Sequence, residues 1–115
     1  MKVDIDNSGK ALLSLCIPTY NHAQKLRKSL ERIVGLSVFQ DTNEIEIVIS
    51  DNASSDETQE VAKTFVDAWP GRIKYHRNDV NVFDANFESV LLHASGSFRK
   101  LINDTLLLRE HGLRG

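Results

Sequence analysis

Glu44-Ile45-Glu46-Ile47-Val48-Ile49-Ser50-Asp51-Asn52-Ala53-Ser54-Ser55-Asp56-Glu57-Thr58 is the stretch that decides the fold. Ile45, Ile47 and Ile49 alternate along 44–50, β-branched side chains suit a pleated surface, and Asp51-Asn52 supplies turn chemistry, so this segment reads as a strand. Ser54 with Glu57 three positions later forms a capping box. Val61, Ala62, Phe65, Val66 and Trp69 then keep one helical face until Pro70-Gly71 stops the helix.

The same alternation of strand and helix extends both ways. Upstream, the apolar run Ala11 to Ile17 is a strand closed by Pro18, which cannot donate to a central ladder. Asn21 and Gln24 make another capping box, and Leu26, Leu30, Ile33 and Val34 carry a helix to about Leu36. Downstream, Ile73 and Tyr75 alternate with Arg72, Lys74 and His76, which predicts a short strand with one wet face near a sheet edge. Asp84 is placed to cap a third helix, with Phe87, Val90, Leu91 and Ala94 inward and Gly96 closing it. Ser97 to Ile102 is then a fourth strand, ending at Asn103-Asp104-Thr105, and Leu106 to His111 a last short helix. Strands joined through helices of this length imply right-handed crossovers, hence an α/β fold: three layers, a mostly parallel sheet with helices on both faces.

The 115 residues suffice for one domain with a real core, and 41% apolar with 26% charged residues is an ordinary globular balance. Met1 to Lys10 is polar and acidic, reads as a disordered lead-in, and lacks the basic start and apolar core of a signal peptide; the folded domain is expected over 11–115. A net charge of −2 offers no footprint for nucleic acid. No apolar run approaches the roughly 20 residues needed to span a bilayer. The one cysteine, Cys16, allows no internal disulfide, leaves no zinc spacing and fits a reducing compartment as a small buried strand residue.

In open α/β sheets ligands bind beyond the carboxyl ends of the strands. Those ends read Pro18-Thr19-Tyr20-Asn21, Asp51-Asn52, Arg77-Asn78 and Asn103-Asp104-Thr105, all polar. Glycines stand only at 9, 35, 71, 96, 112 and 115, so neither a G-x-G-x-x-G turn nor a P-loop follows the first strand. Phosphate held at this rim would have to meet side chains, helix amino termini or a metal ion.

Ile17-Pro18-Thr19-Tyr20-Asn21, Ile49-Ser50-Asp51-Asn52-Ala53-Ser54-Ser55-Asp56-Glu57-Thr58 and the Arg77-Asn78 strand end, in this order and spacing, resemble the family 2 glycosyltransferases of the GT-A fold over residues 11–113. The resemblance implies a nucleoside diphosphate sugar as donor, a hydroxyl acceptor of unassigned identity, and a role in polysaccharide biosynthesis at the cytoplasmic side, at the membrane face. It implies a nucleotide-binding set of Pro18, Thr19, Tyr20, Asn21, Asp51, Asn52 and Arg77. Tyr20 would pack near the base, the Pro18-Thr19 backbone would line its pocket, Asp51 or Asn52 would read base or ribose, and Arg77 would offset phosphate charge. Asp104 is the implied contact for a divalent cation, Mg²⁺ or Mn²⁺, although the family's run of aspartates is here Asn103-Asp104-Thr105. A second departure is the glycine that relatives place within the segment 81–86 and this chain lacks.

The family's general base and acceptor groups lie beyond the metal motif, so no catalytic residue is nominated and the chain reads as a truncated donor-binding half whose exposed sheet surface favours self-association. The competing reading is a non-catalytic interaction module that keeps the fold.

Overall fold

In the computed structural model, which describes residues 12–82 and 85–102, the alternating stretch becomes a strand buried along its whole length. The elements in chain order are β1 (Leu13–Thr19), α1 (Ala23–Val34), α2 (Ser37–Asp41), β2 (Ile45–Asp51), α3 (Thr58–Ala68), β3 (Ile73–Arg77), α4 (Ala85–Leu92) and β4 (Phe98–Leu101). The strands form one sheet in the order β3-β2-β1-β4, and every pairing is parallel. Strand order thus reverses at β1, the place where such sheets open a crevice at their carboxyl ends. The expected α/β class, the parallel sheet and the edge position of β3 are all observed. Of the elements expected from the sequence, the lead-in 1–10, the Asp84 cap, the Asn103-Asp104-Thr105 strand end and the helix from Leu106 lie outside the described residues.

Side-chain parity sorts the two faces. Leu15, Ile17, Ile47, Ile49 and Ile73 point to the face covered by α1 and α3, where they pack with Leu26, Leu30, Ile33, Phe39, Val61 and Ala62. Cys16 and Val48 point to the opposite face and meet Val90 and Ala94 of the α4 segment. Burial of each large aliphatic side chain contributes roughly 1.5–3 kcal/mol, which explains how helices too short to persist alone in water are held here. Burial also pushes the Cys16 thiol up to about 11, so it stays protonated and inert.

Three local readings are corrected. Pro18 does not close β1, which runs on to Thr19 and pairs Pro18 with Ser50. Even-numbered residues of β1 direct their backbone groups at β4, as the bond from the Ile102 N–H to the Cys16 carbonyl shows. Among the described residues the β1–β4 pairing ends at Cys16 and Leu101, and there the missing N–H of Pro18 faces no ladder partner. The first helix ends at Val34 rather than Leu36, and a separate turn of helix, α2, follows. It is anchored by Phe39, onto whose ring the Arg72 guanidinium stacks at 4.0 Å while donating to the Phe39 carbonyl at 2.7 Å. Gly96 does not close the third helix directly; α4 ends at Leu92 and Gly96 packs against β1.

That packing belongs to a buried polar cluster near the amino ends of the strands. Glu46 is only 4% exposed. Its carboxylate accepts hydrogen bonds from the Ser14 hydroxyl, from the Ser95 N–H at 2.7 Å and from the Ser95 hydroxyl at 3.0 Å, and pairs with Lys74 at 2.9 Å. Ser14 Oγ in turn accepts the Gly96 N–H at 2.8 Å. Burial alone would raise the Glu46 pKa, but the bonds from Ser14, Ser95 and Lys74 outweigh it and hold the carboxyl below its usual range. The cluster fastens the approach to β4, whose own residues are exposed, with Phe98 and Leu101 open on the outer strand.

Two outcomes follow from this cluster. A methyl group on Gly96 would lie 2.6 Å from Ser14 Oγ and 2.8 Å from Ser14 N, so Gly96→Ala is expected to destabilise by about 1–3 kcal/mol in urea unfolding. Because the folded Glu46 pKa is depressed, its contribution is fully present above the ordinary carboxylate pKa and is lost as pH falls through the folded value. Glu46→Gln should therefore be less stable than the parent at neutral pH, and the gap should narrow steadily below about pH 4.5.

Candidate functional site

Strand register brings Thr19, Asp51 and Arg77 into one row at the carboxyl edge, Thr19 opposite Asp51 and Asp51 opposite Arg77. Asp51 is fully buried. Its Oδ1 accepts the Ser54 N–H at 2.9 Å, and its Oδ2 accepts the Tyr75 hydroxyl at 2.6 Å and Arg77 Nη1 at 3.3 Å. Arg77 also donates to the Ser54 carbonyl at 3.0 Å, so it bridges the end of β3 to the loop after β2. Burial, and then the hydrogen bond to Asp51 and its charge, push the Tyr75 phenol well above its ordinary value, which keeps it a donor.

The loops after β1 and β2 hold each other. Asn21 takes a left-handed backbone, φ 51°, which asparagine tolerates better than most residues. Its N–H donates to Ser54 Oγ at 2.8 Å, and its own side-chain oxygen accepts the Ser55 N–H at 2.7 Å and the Asp56 N–H at 3.4 Å. Asp56 accepts the Ala23 N–H, the first of α1, at 3.3 Å and the Thr58 N–H, the first of α3, at 2.9 Å. Both expected capping boxes are thus replaced: Asn21 and Ser54 serve one another's loops, α1 starts after His22 with no side-chain cap of its own, and Asp56 serves both helices. Ala53 is also left-handed, φ 65°, a strained conformation of the kind that collects at functional rims.

Of the residues singled out in the sequence, Thr19, Asp51, Asn52 and Arg77 come together directly, the Asn52 N–H donating to the Thr19 carbonyl at 2.9 Å. Pro18 is buried beneath them, Asn21 stands at the turn, and Tyr20 lies beside it at the chain's exit from β1, 43% exposed. Asp104 lies outside the described residues. Among the described residues no group of three or more His, Cys, Asp or Glu side chains could hold a metal ion, and Asp51 is engaged by Ser54, Tyr75 and Arg77.

Sequence reading missed Tyr75 as part of this rim. The signal was available in strand parity, since Tyr75 shares a face with Arg77 two residues on and sits one step in from Asp51.

The sequence profile of the family described as Glycosyl transferase family 2 matches residues 14–102. The chain belongs to this family. It is 40% identical over 88 residues to the abequosyltransferase RfbV of Salmonella typhimurium, a match covering 76% of this chain and 26% of that protein. It is 33% identical over 94 residues to a Campylobacter jejuni GalNAc(5)-diNAcBac-PP-undecaprenol beta-1,3-glucosyltransferase, covering 80% of this chain and 29% of the relative. The chain thus spans between a quarter and a third of the length of these family 2 relatives. Among solved structures, the mannosyltransferase PcManGT of Pyrobaculum calidifontis, in complex with GDP-Man and Mn²⁺, shares the fold with a TM-score of 0.71 at 22% identity, over 83% of this chain and 28% of that one. S. aureus TarS 1–349 in complex with UDP gives 0.68 at 22% identity, over 80% and 27%. The fold is the GT-A type.

The Asn21 arrangement separates backbone from side-chain effects in this family 2 fold. Asn21→Gly keeps the left-handed turn and loses the bonds to Ser55 and Asp56, whereas Asn21→Ala loses both. In thermal unfolding Asn21→Ala should be the less stable of the two by about 1 kcal/mol.

Proposed function

We propose that this chain binds the donor in a glycosyltransferase that moves a sugar from a nucleoside diphosphate sugar to a hydroxyl acceptor. The observation that carries the proposal is the row of Thr19, Asp51 and Arg77, with Tyr20 beside it, at the carboxyl edge where strand order reverses. Support comes from the glycosyltransferase names of both relatives and from the GDP-Man, Mn²⁺ and UDP held by the two solved structures.

In this reading the exposed Tyr20 ring lies against the base, and the Pro18-Thr19 backbone lines the pocket with Asn21 at its turn. Asp51 or Asn52 reads base or ribose, directly or through the loop it holds, and Arg77 sets its charge against the diphosphate. Asp104 is the proposed contact of a divalent cation, Mg²⁺ or Mn²⁺, whose chemistry is to neutralise the diphosphate. The site works on the cytoplasmic side of the membrane, and the exposed β4 edge is the surface through which copies of this chain would associate. No residue of the chain is assigned as the general base.

Titration with UDP or GDP in the presence of Mn²⁺, followed by amide shifts, tests the donor site. Tyr20, Asp51 and Asp104 should move at millimolar ligand, and unmoved signals would overturn the reading. Tyr20→Ala should weaken binding by the roughly 1–3 kcal/mol that base stacking supplies, and Asp104→Ala should abolish the gain in affinity brought by Mn²⁺.

A further inference from the structure

The carboxyl edge has a second layer. Asp51 points to the α1 and α3 face, whereas Ser50 and Asn52 belong by parity to the α4 face. There Asn78 Nδ2 donates to Asn52 Oδ1 at 3.1 Å and to Asn86 Oδ1 at 2.9 Å. Asn86, only 5% exposed, also accepts the Ser50 hydroxyl at 2.7 Å and donates to the Ser50 carbonyl at 2.9 Å. Asn52 reaches on into the following loop: its Oδ1 accepts the Val82 N–H at 2.8 Å and its Nδ2 donates to Asn81 Oδ1 at 2.6 Å. The backbone of this segment is tied to β2 at its start, where the Asn78 N–H donates to the Asp51 carbonyl at 2.8 Å. From there to Val82, side-chain carboxamides fix where the loop lies.

We propose that Asn78 is a positioning residue of the nucleotide site, holding residues 79–82 as a preformed wall beside Asp51. The inference rests on the donor-site reading above. One side-chain amide group has two N–H donors, and Asn78 spends one on each of two carboxamide oxygens that come from different elements, Asn52 after β2 and Asn86 in α4. Asn86 is locked to Ser50 in the sheet, so Asn78 transmits a rigid reference point to Asn52, and Asn52 transmits it to Val82 and Asn81. Asn52 then serves the site through the loop it holds. A loop fixed before the ligand arrives has less freedom to lose on binding, which raises affinity without adding a contact. Asn78 is half-buried at the end of an edge strand, outside both apolar clusters, so its loss falls on the rim and not on the core.

Asn78→Asp is nearly isosteric but places a carboxylate opposite two carbonyl oxygens with no hydrogen to offer them. In the full chain without nucleotide, the Asn81 and Val82 amide signals should shift, while the thermal midpoint falls by only a few degrees. Affinity for UDP or GDP with Mn²⁺ should drop about ten-fold, the scale of losing one well-made hydrogen bond. Asn78→Ala, which removes both donors without adding charge, should act in the same direction with a smaller loss and serves if the first substitution prevents folding. Unmoved Asn81 and Val82 signals, or moved signals with unchanged affinity, would overturn the role of Asn78. Failure of the unsubstituted chain to bind either nucleotide would instead overturn the donor-site reading on which that role rests.

Discussion

A carboxylate taken wholly out of water must be given partners, because its effective desolvation costs several kcal/mol. Asp51 is such a group, and the carboxyl edge is organised around satisfying it. The Ser54 N–H comes from the loop after β2, and the Tyr75 hydroxyl and the Arg77 guanidinium come from β3; each is pulled to the end of β2 by the same two oxygens. The loop after β2 is thereby folded back over the strand end. That in turn sets Ser54 and Ser55 within reach of Asn21 and ties the loop after β1 to the loop after β2.

A second buried acid stands on the same strand. Glu46 and Asp51 are an odd number of residues apart, so they face opposite sides of the sheet and lie near opposite ends of β2. Glu46 gathers Ser14, Lys74 and Ser95 and fastens the chain that enters β4, while Asp51 gathers the rim. β2 lies between β1 and β3 in the sheet and is buried on both faces, so a charge at either end of it meets partners from several elements at once. One strand thus orders the frame at its amino end and the polar rim at its carboxyl end.

The rim also stores strain. Asn21 and Ala53 both adopt left-handed backbone conformations, and they occupy corresponding places just past β1 and β2. Neither turn is a glycine, so each relies on the surrounding bonds to hold it. Asn21 gains side-chain bonds to the neighbouring loop in exchange, and the loop containing Ala53 is held by Ser54 and Asp51. An edge built this way is held by its own bonds rather than by glycine freedom.

The sequence by itself determined the elements and the class. Alternation at Ile45, Ile47 and Ile49 and helical spacing at Leu26, Leu30 and Ile33 are short-range patterns, and the burial they call for is satisfied by any partner of the right shape. The polar strand ends 18–21, 51–52 and 77–78 were legible for the same reason, since turn chemistry is local. Tertiary structure decided who bonds to whom. Asn21 and Ser54 have the residue types of helix caps, yet their partners lie 33 and 34 residues away, and Glu46 finds Ser95 across 49. Pro18 reads as a strand terminus because the sequence does not show which side of β1 its missing N–H would face, and Asn78 reads only as a polar strand end because Asn52 and Asn86 come beside it only in the folded chain. Periodicity is written into a chain by the geometry of its own backbone, whereas the partner of a buried polar group is chosen only when distant segments are brought together.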